Sequence, residues 1–173
     1  MKAMVWNCRG VGSPLTVPQL REVIRLHSPS LVFLSETKKK KSFLNSVKQW
    51  IKFDNVFVVD PVGLAGGLAV LWKQELKVKK VLFTSFTIEL LIDDCEIGAE
   101  WWCICVYAST NASVRREQWK VLERRSCIWG ESWAILGDLN DITSNAEKSG
   151  GRERADVSFH DFTTFINGNE LVD

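Results

Sequence analysis

The chain has 173 residues, 46% hydrophobic and 25% charged, which is enough for a buried core and ordinary for one globular domain spanning 1–173. A formal net charge of +1 excludes a global field that would draw the molecule to nucleic acid, so any basic footprint has to be local. No apolar run approaches a membrane span, and Met1 to Trp6 lacks a signal peptide's apolar region and cleavage site; we expect an intracellular monomer with no membrane partner.

Residues 2–7 alternate and predict a first strand. Thr16-x-x-Gln19 has the form of a capping box, with Pro18 in the first turn, and Val17, Leu20, Val23, Ile24 and His27 follow at helical spacing. Ser28-Pro29 ends that helix. Leu31 to Leu34 predicts a short buried strand finishing at Glu36, 42–51 a helix, and Val56 to Val59 another strand. Gly63-Leu64-Ala65-Gly66-Gly67 reads as a turn between strands. It is not a phosphate cradle, because Leu68 to Trp72 continues as strand and no Gly-Lys-Ser/Thr closes the loop.

Residues 78–84, 86–92 and 100–107 predict an antiparallel meander. A helix over 113–129, an apolar strand over 133–137, a polar loop over 138–155 and a helix over 157–167 with Phe159, Phe162, Phe165 and Ile166 inward complete the chain. The pattern predicts a mixed α/β protein with two sheets face to face and helices outside.

Five cysteines, an odd number in mostly apolar context, point to reduced thiols in the core rather than disulfides. Cys103 and Cys105 share a strand face, and no second ligand pair at zinc spacing accompanies them.

Four strand ends carry the chemistry: Trp6-Asn7-Cys8-Arg9-Gly10, Leu34-Ser35-Glu36-Thr37, Val106-Tyr107-Ala108-Ser109 and Gly137-Asp138-Leu139-Asn140. They can bring Asn7, Glu36, Tyr107, Asp138 and Asn140 to one rim, with Asn140 facing as Asp138 does if the extension continues. Carboxylates, amides and a phenol suit a hard divalent cation and a phosphate group. They do not suit acyl transfer, which needs a Ser or Cys nucleophile beside a base. Taken singly, Glu36 reads first as a solvated strand end and Tyr107 first as a core aromatic, while Asp138 reads equally as an Asx-turn.

Together with Gly66-Gly67-Leu68-Ala69-Val70-Leu71-Trp72 and Glu147-Lys148-Ser149-Gly150-Gly151, these tracts resemble the endonuclease/exonuclease/phosphatase family. The resemblance is greatest to the apurinic-type endonuclease domain of plant non-LTR (LINE-type) retrotransposons. It implies a four-layer α/β sandwich and a DNA endonuclease dependent on Mg2+ or Mn2+. By the same resemblance, Glu36 and Asn7 would hold the metal, Tyr107 would hydrogen-bond the scissile phosphate, Asp138 would orient or deprotonate the attacking water, and Asn140 would hold the phosphate.

Two departures stand out. Arg9 occupies a position that is acidic in many members, and nothing corresponds to the family's terminal Asp-His pair, since the only histidines are His27 and His160. The ending Glu170-Leu171-Val172-Asp173 looks like the start of the next family segment, so the chain reads as a C-terminally incomplete fragment of weak or no activity, nuclear if expressed and functional. A phosphatase of the same fold and a non-catalytic relic are the alternatives. For nucleic acid, Arg9, Lys38, Lys39, Arg115 and Arg152 are the candidate phosphate contacts, with Arg116 and Arg154 beside them. The Lys38–Lys41 run reads equally as a solvated helix start.

Overall fold

Runs of β-branched and aromatic residues form β1 (Ala3–Asn7), β2 (Leu31–Ser35), β3 (Asn55–Val59), β4 (Leu68–Trp72), β5 (Lys77–Phe83), β6 (Thr87–Asp94), β7 (Ala99–Tyr107) and β8 (Trp133–Asp138). Helical apolar spacing forms α1 (Thr16–His27) and α2 (Lys41–Trp50). The computed structural model describes every residue except Leu64 and Asp173, so one position of the glycine-rich turn and the last residue of the C-terminal tract lie outside the described residues. The chain divides into two units. One is Met1–Tyr107 with Ser132–Asp138, and the other is Ala108–Glu131 with the residues from Leu139 onward.

The first unit holds both sheets, ordered β1-β2-β4-β3 and β5-β6-β7-β8. Each is mixed: β1 pairs parallel with β2 and β7 parallel with β8, and the other pairings are antiparallel. The meander appears as predicted. Strand β2 is buried along its whole length, and its alternation explains the layers. Val32 and Leu34 pack with Leu20, Leu44 and Val47 of the two helices. Leu31 and Phe33 face the other way, onto Ile88, Leu90, Cys103 and Cys105 of the second sheet. A strand apolar on both faces needs cover on both, and truncating any of these leucines to alanine would cost about 2–5 kcal/mol.

Three local readings are corrected. Thr16 does not cap α1: the N-cap is Leu15, without a side-chain bond, and the Thr16 hydroxyl donates to the Gly10 carbonyl (3.4 Å). The expected last helix is a 3-10 turn over Asp156–Phe159 running into an α-helix. Among the thiols, Cys8, Cys103 and Cys105 are buried but Cys95 and Cys127 are exposed, because a turn and a helix surface hold them rather than a sheet face.

The second unit is built on α3 (Ala112–Trp129), capped by the Asn111 side chain accepting from the Ser113 and Val114 amides, and α4 (His160–Gly168). Its centre is Trp119, whose ring lies 5.1 Å from Phe162 and 5.4 Å from Phe165. Phe159, Phe162 and Phe165 are buried, as their spacing predicts. No helix among the described residues is long and apolar enough to cross a membrane.

Candidate active site

Parallel pairing fixes where the strands end. In the first sheet Asn7 stands opposite Ser35, the residue before Glu36. In the second, Tyr107 stands opposite Asp138. The β7–β8 approach requires Gly137: a Cβ there would lie 1.8 Å from the Val106 carbonyl oxygen.

Glu36 leaves β2 in the left-handed region (φ 51°), a conformation that costs a non-glycine residue about 1–2 kcal/mol. Neighbouring backbone holds it there. The Gly10 amide donates to the Glu36 carbonyl (2.8 Å) and the Val11 amide to that of Thr37 (3.0 Å). On the other side the Thr37 and Lys38 amides donate to the carbonyls of Gly67 and Gly66 (both 3.0 Å). The glycine-rich turn thus straps the 36–38 segment, and Gly67 leaves no room for a side chain, since a Cβ would lie 2.4 Å from the Thr37 hydroxyl. Strain maintained by its surroundings in this way is characteristic of functional positions.

Four of the five predicted residues meet here. The Asn7 amide Nδ2 donates to Glu36 Oε1 (3.0 Å) and to Asp138 Oδ2 (3.2 Å), so one side chain links two carboxylates 102 residues apart (138 − 36). Its Oδ1 accepts from the Arg9 amide (3.2 Å), which sets the orientation of the group. The Tyr107 hydroxyl donates to Glu36 Oε1 at 2.6 Å, the short distance of a bond to a charged acceptor. The bonds from Tyr107 and Asn7 hold the Glu36 carboxyl below the usual carboxylate range. Burial, then the adjoining Glu36, pushes the Tyr107 phenol up to about 12, so it remains a donor at neutral pH. The second oxygen, Glu36 Oε2, faces the Lys38 ammonium at 3.6 Å.

Asn140 does not continue the strand. The extension stops at Asp138, Asn140 turns left-handed (φ 50°), and its Nδ2 donates to the Ala108 carbonyl (2.7 Å) within the second unit.

Among the basic candidates, Arg115 is corrected. It is 6% exposed, and its guanidinium is spent on Asp141 (2.8 Å) and on the Ser109 and Thr110 carbonyls. Its burial and these bonds commit it to the interior of its own unit rather than to a phosphate at the surface. Arg154 likewise pairs with Asp141 (2.9 Å), and Arg116 pairs with Asp161 (2.7 Å). Arg9, Lys38, Lys39 and Arg152 are exposed, with the Lys39 ammonium 5.4 Å from the centre of the Phe43 ring. Sequence reasoning missed Asp141. The only hint was its place directly after Asn140, which does not reveal two distant arginines.

A cation would find hard oxygen donors here. Glu36 Oε2 already faces an ammonium, and Asp138 and Asn7 Oδ1 belong to the same hydrogen-bonded group, a set suited to a metal that keeps most of its water. Among the described residues no three His, Cys, Asp or Glu side chains cluster as a closed cage.

The family model for the endonuclease/exonuclease/phosphatase family matches residues 4–170. The chain belongs to that family. No curated protein matches it. Among solved structures, this family member resembles an AP endonuclease from Archaeoglobus fulgidus (TM-score 0.73, 13% identity, covering 96% of this chain and 70% of that one). It also resembles the catalytic domain of APE2 from Xenopus laevis (0.72, 15%, 95% and 67%). A third likeness is to the 3' phosphatase NExo from Neisseria bound to a product DNA hairpin (0.69, 14%, 96% and 70%). At these identities the likeness establishes the fold, which is the family's α/β sandwich.

Proposed function

We propose that the chain is a divalent-metal-dependent phosphodiesterase domain acting on DNA, of plant LINE-type retrotransposon origin, with weak turnover. The observation that carries the reading is the Asn7 amide bridging Glu36 and Asp138 while Tyr107 donates to Glu36. Support for the retrotransposon branch is the order of the sequence tracts, with Arg9 where many relatives carry an acid. Support for DNA is the nature of the structural relatives, one bound to a DNA product, and the exposed Lys38–Lys39 pair beside Glu36.

In this reading Glu36, with Asn7, holds Mg2+ or Mn2+, which when bound supplies charge neutralisation on the phosphate. Tyr107, kept protonated, donates to a phosphate oxygen once the substrate competes for its hydrogen. Asp138 accepts a proton from the attacking water, and Asn7 fixes the carboxylate's orientation toward it. Asn140 braces the turn after Asp138 through Ala108.

Weak turnover is expected of a rim that, among the described residues of the first unit, holds no imidazole. The only histidine of the first unit, His27, lies at the opposite end of β1, where its carbonyl accepts from Lys2 (2.8 Å). The same observation favours a second reading, a relic that binds nucleic acid without cleaving it. Nicking of supercoiled plasmid separates them. The enzyme reading expects slow nicking that requires Mg2+ and disappears in Glu36→Gln. Nicking that persists in that variant overturns the site, and none from folded wild-type protein leaves the relic.

A further inference from the structure

At the end of the first unit opposite Asn7, a cleft of about 510 Å3 opens between α1 and the end of α2. Backbone bonds from Ser30 to Lys2 and from Lys73 to Ser30 (both 2.9 Å) fix it beside the starts of β1 and β2. Its Lys73 wall therefore lies about the length of β1 from Asn7, roughly 15 Å at 3.3 Å per residue, while Pro18 carries the cleft up along α1.

Four cations line it, Arg21, Arg25, Lys52 and Lys73, against one carboxylate, Glu22. That carboxylate is already engaged by Arg25 (2.7 Å). Arg21 and Arg25 lie one turn apart on α1 and share its face. Lys52 stands just past α2 in a left-handed conformation (φ 59°), a place where glycine is the usual residue. Its carbonyl accepts from the Lys73 ammonium, which also lies 4.7 Å from the Phe53 ring centre. On the same wall Trp50 is 48% exposed, its indole buttressed by Phe43 (5.9 Å between centres, 85° between planes).

We propose that this cleft is a second binding site, for a single strand of nucleic acid. A base stacks on Trp50 while its phosphates lie against Arg21, Lys52 and the neighbouring cations. An exposed indole among a surplus of cations is the combination that single strands use, since every base has a stacking face and every linkage a charge. The charge alone would serve an acidic peptide as well. The aromatic wall selects the nucleic acid.

The test is fluorescence anisotropy of labelled dT15 with the full chain, titrated at several salt concentrations. Trp50→Ala is expected to weaken binding about tenfold, and Trp50→Phe to restore most of it. The pair Arg21→Gln and Lys52→Gln is expected to reduce the salt slope by about 1.4, at about 0.7 for each phosphate no longer neutralised. These side chains are exposed, so thermal melting should match wild type. Should Trp50→Ala fail to fold, the slope of the glutamine pair still decides. Unchanged affinity and slope in these variants overturn the proposal, as does poly-glutamate competing as well as unlabelled dT15. Plasmid nicking reports on the rim, and the loss of dT15 binding in the cleft variants reports on the cleft, so the two readings fail independently.

Discussion

In the second unit, Asp141 has a side chain only 4% exposed, and each of its oxygens takes a guanidinium, Arg115 at 2.8 Å and Arg154 at 2.9 Å. In the first unit, Glu36 has a side chain 22% exposed and receives two neutral donors on one oxygen and a looser ammonium, at 3.6 Å, on the other. Both groups join residues remote in sequence at the ends of elements. The Asp141 carboxylate is charge-balanced on both oxygens and closed to solvent, as the centre of an ion network that holds a fold must be. The Glu36 carboxylate is held by neutral donors and a more distant ammonium, and it remains accessible. A carboxylate held so loosely by positive charge at an open strand end is prepared for something that arrives from outside.

Substitution should separate the two groups sharply. Glu36→Gln is expected to reduce Mg2+-dependent nicking by about 100- to 1000-fold with little loss of stability, the range seen when one electrostatic element of a site is removed. Arg115→Ala should do the converse. It leaves Asp141 as a buried charge short of its partner, and we expect a loss of about 3 kcal/mol in urea unfolding, with Arg152→Ala, an exposed site, near zero.

Asn7→Asp replaces the bridging donor with a third carboxylate. Like charges raise carboxyl pKa values in the folded state, so stability should fall at neutral pH by about 1–2 kcal/mol and recover as pH drops and the groups protonate. Wild type has the opposite sign. Its Glu36 pKa is lowered by Tyr107 and Asn7, so that contribution is present above the ordinary glutamate value and lost as pH falls through the folded one.

Tyr107→Phe gives the smallest change among the rim variants, about 0.5–1 kcal/mol at pH 7, fading in acid. Tyr107 is the only tyrosine, so its absorbance titration is unambiguous, and the folded protein should titrate near 12. A raised pKa favours the folded state below the unfolded value of about 10, an advantage lost as pH rises through 12. Glu36→Gln should move that midpoint down. A midpoint unmoved would separate the phenol from the carboxylate.

Much of the molecule was legible because its signals are local and repeated. The apolar run Leu31–Leu34 read as a buried strand, and such runs, with a meander after them, pointed to two sheets face to face with helices outside. Asn7, Glu36, Tyr107 and Asp138 could be brought together from sequence because each closes an apolar run at a strand end. What was hidden depends on contacts without local trace. The left-handed turn at Asn140 ends the extension that period-two alternation assumes. Arg115 looks like any surface arginine in its helix until Asp141 is placed against it. Thr16-x-x-Gln19 fits a capping pattern, but the hydroxyl finds Gly10 first. The strap from Gly66 and Gly67 to the 36–38 segment reveals what the glycine-rich turn is for, and spacing could only say what it is not.

The most direct test of the central claim needs no turnover. Mn2+ titrated into the protein and followed by electron paramagnetic resonance counts bound metal. We predict one site in wild type, lost in Glu36→Gln and retained in Arg152→Ala. Binding that survives Glu36→Gln, or none at all to the folded wild-type chain, would contradict the assignment of these strand ends as a metal-dependent phosphodiester site.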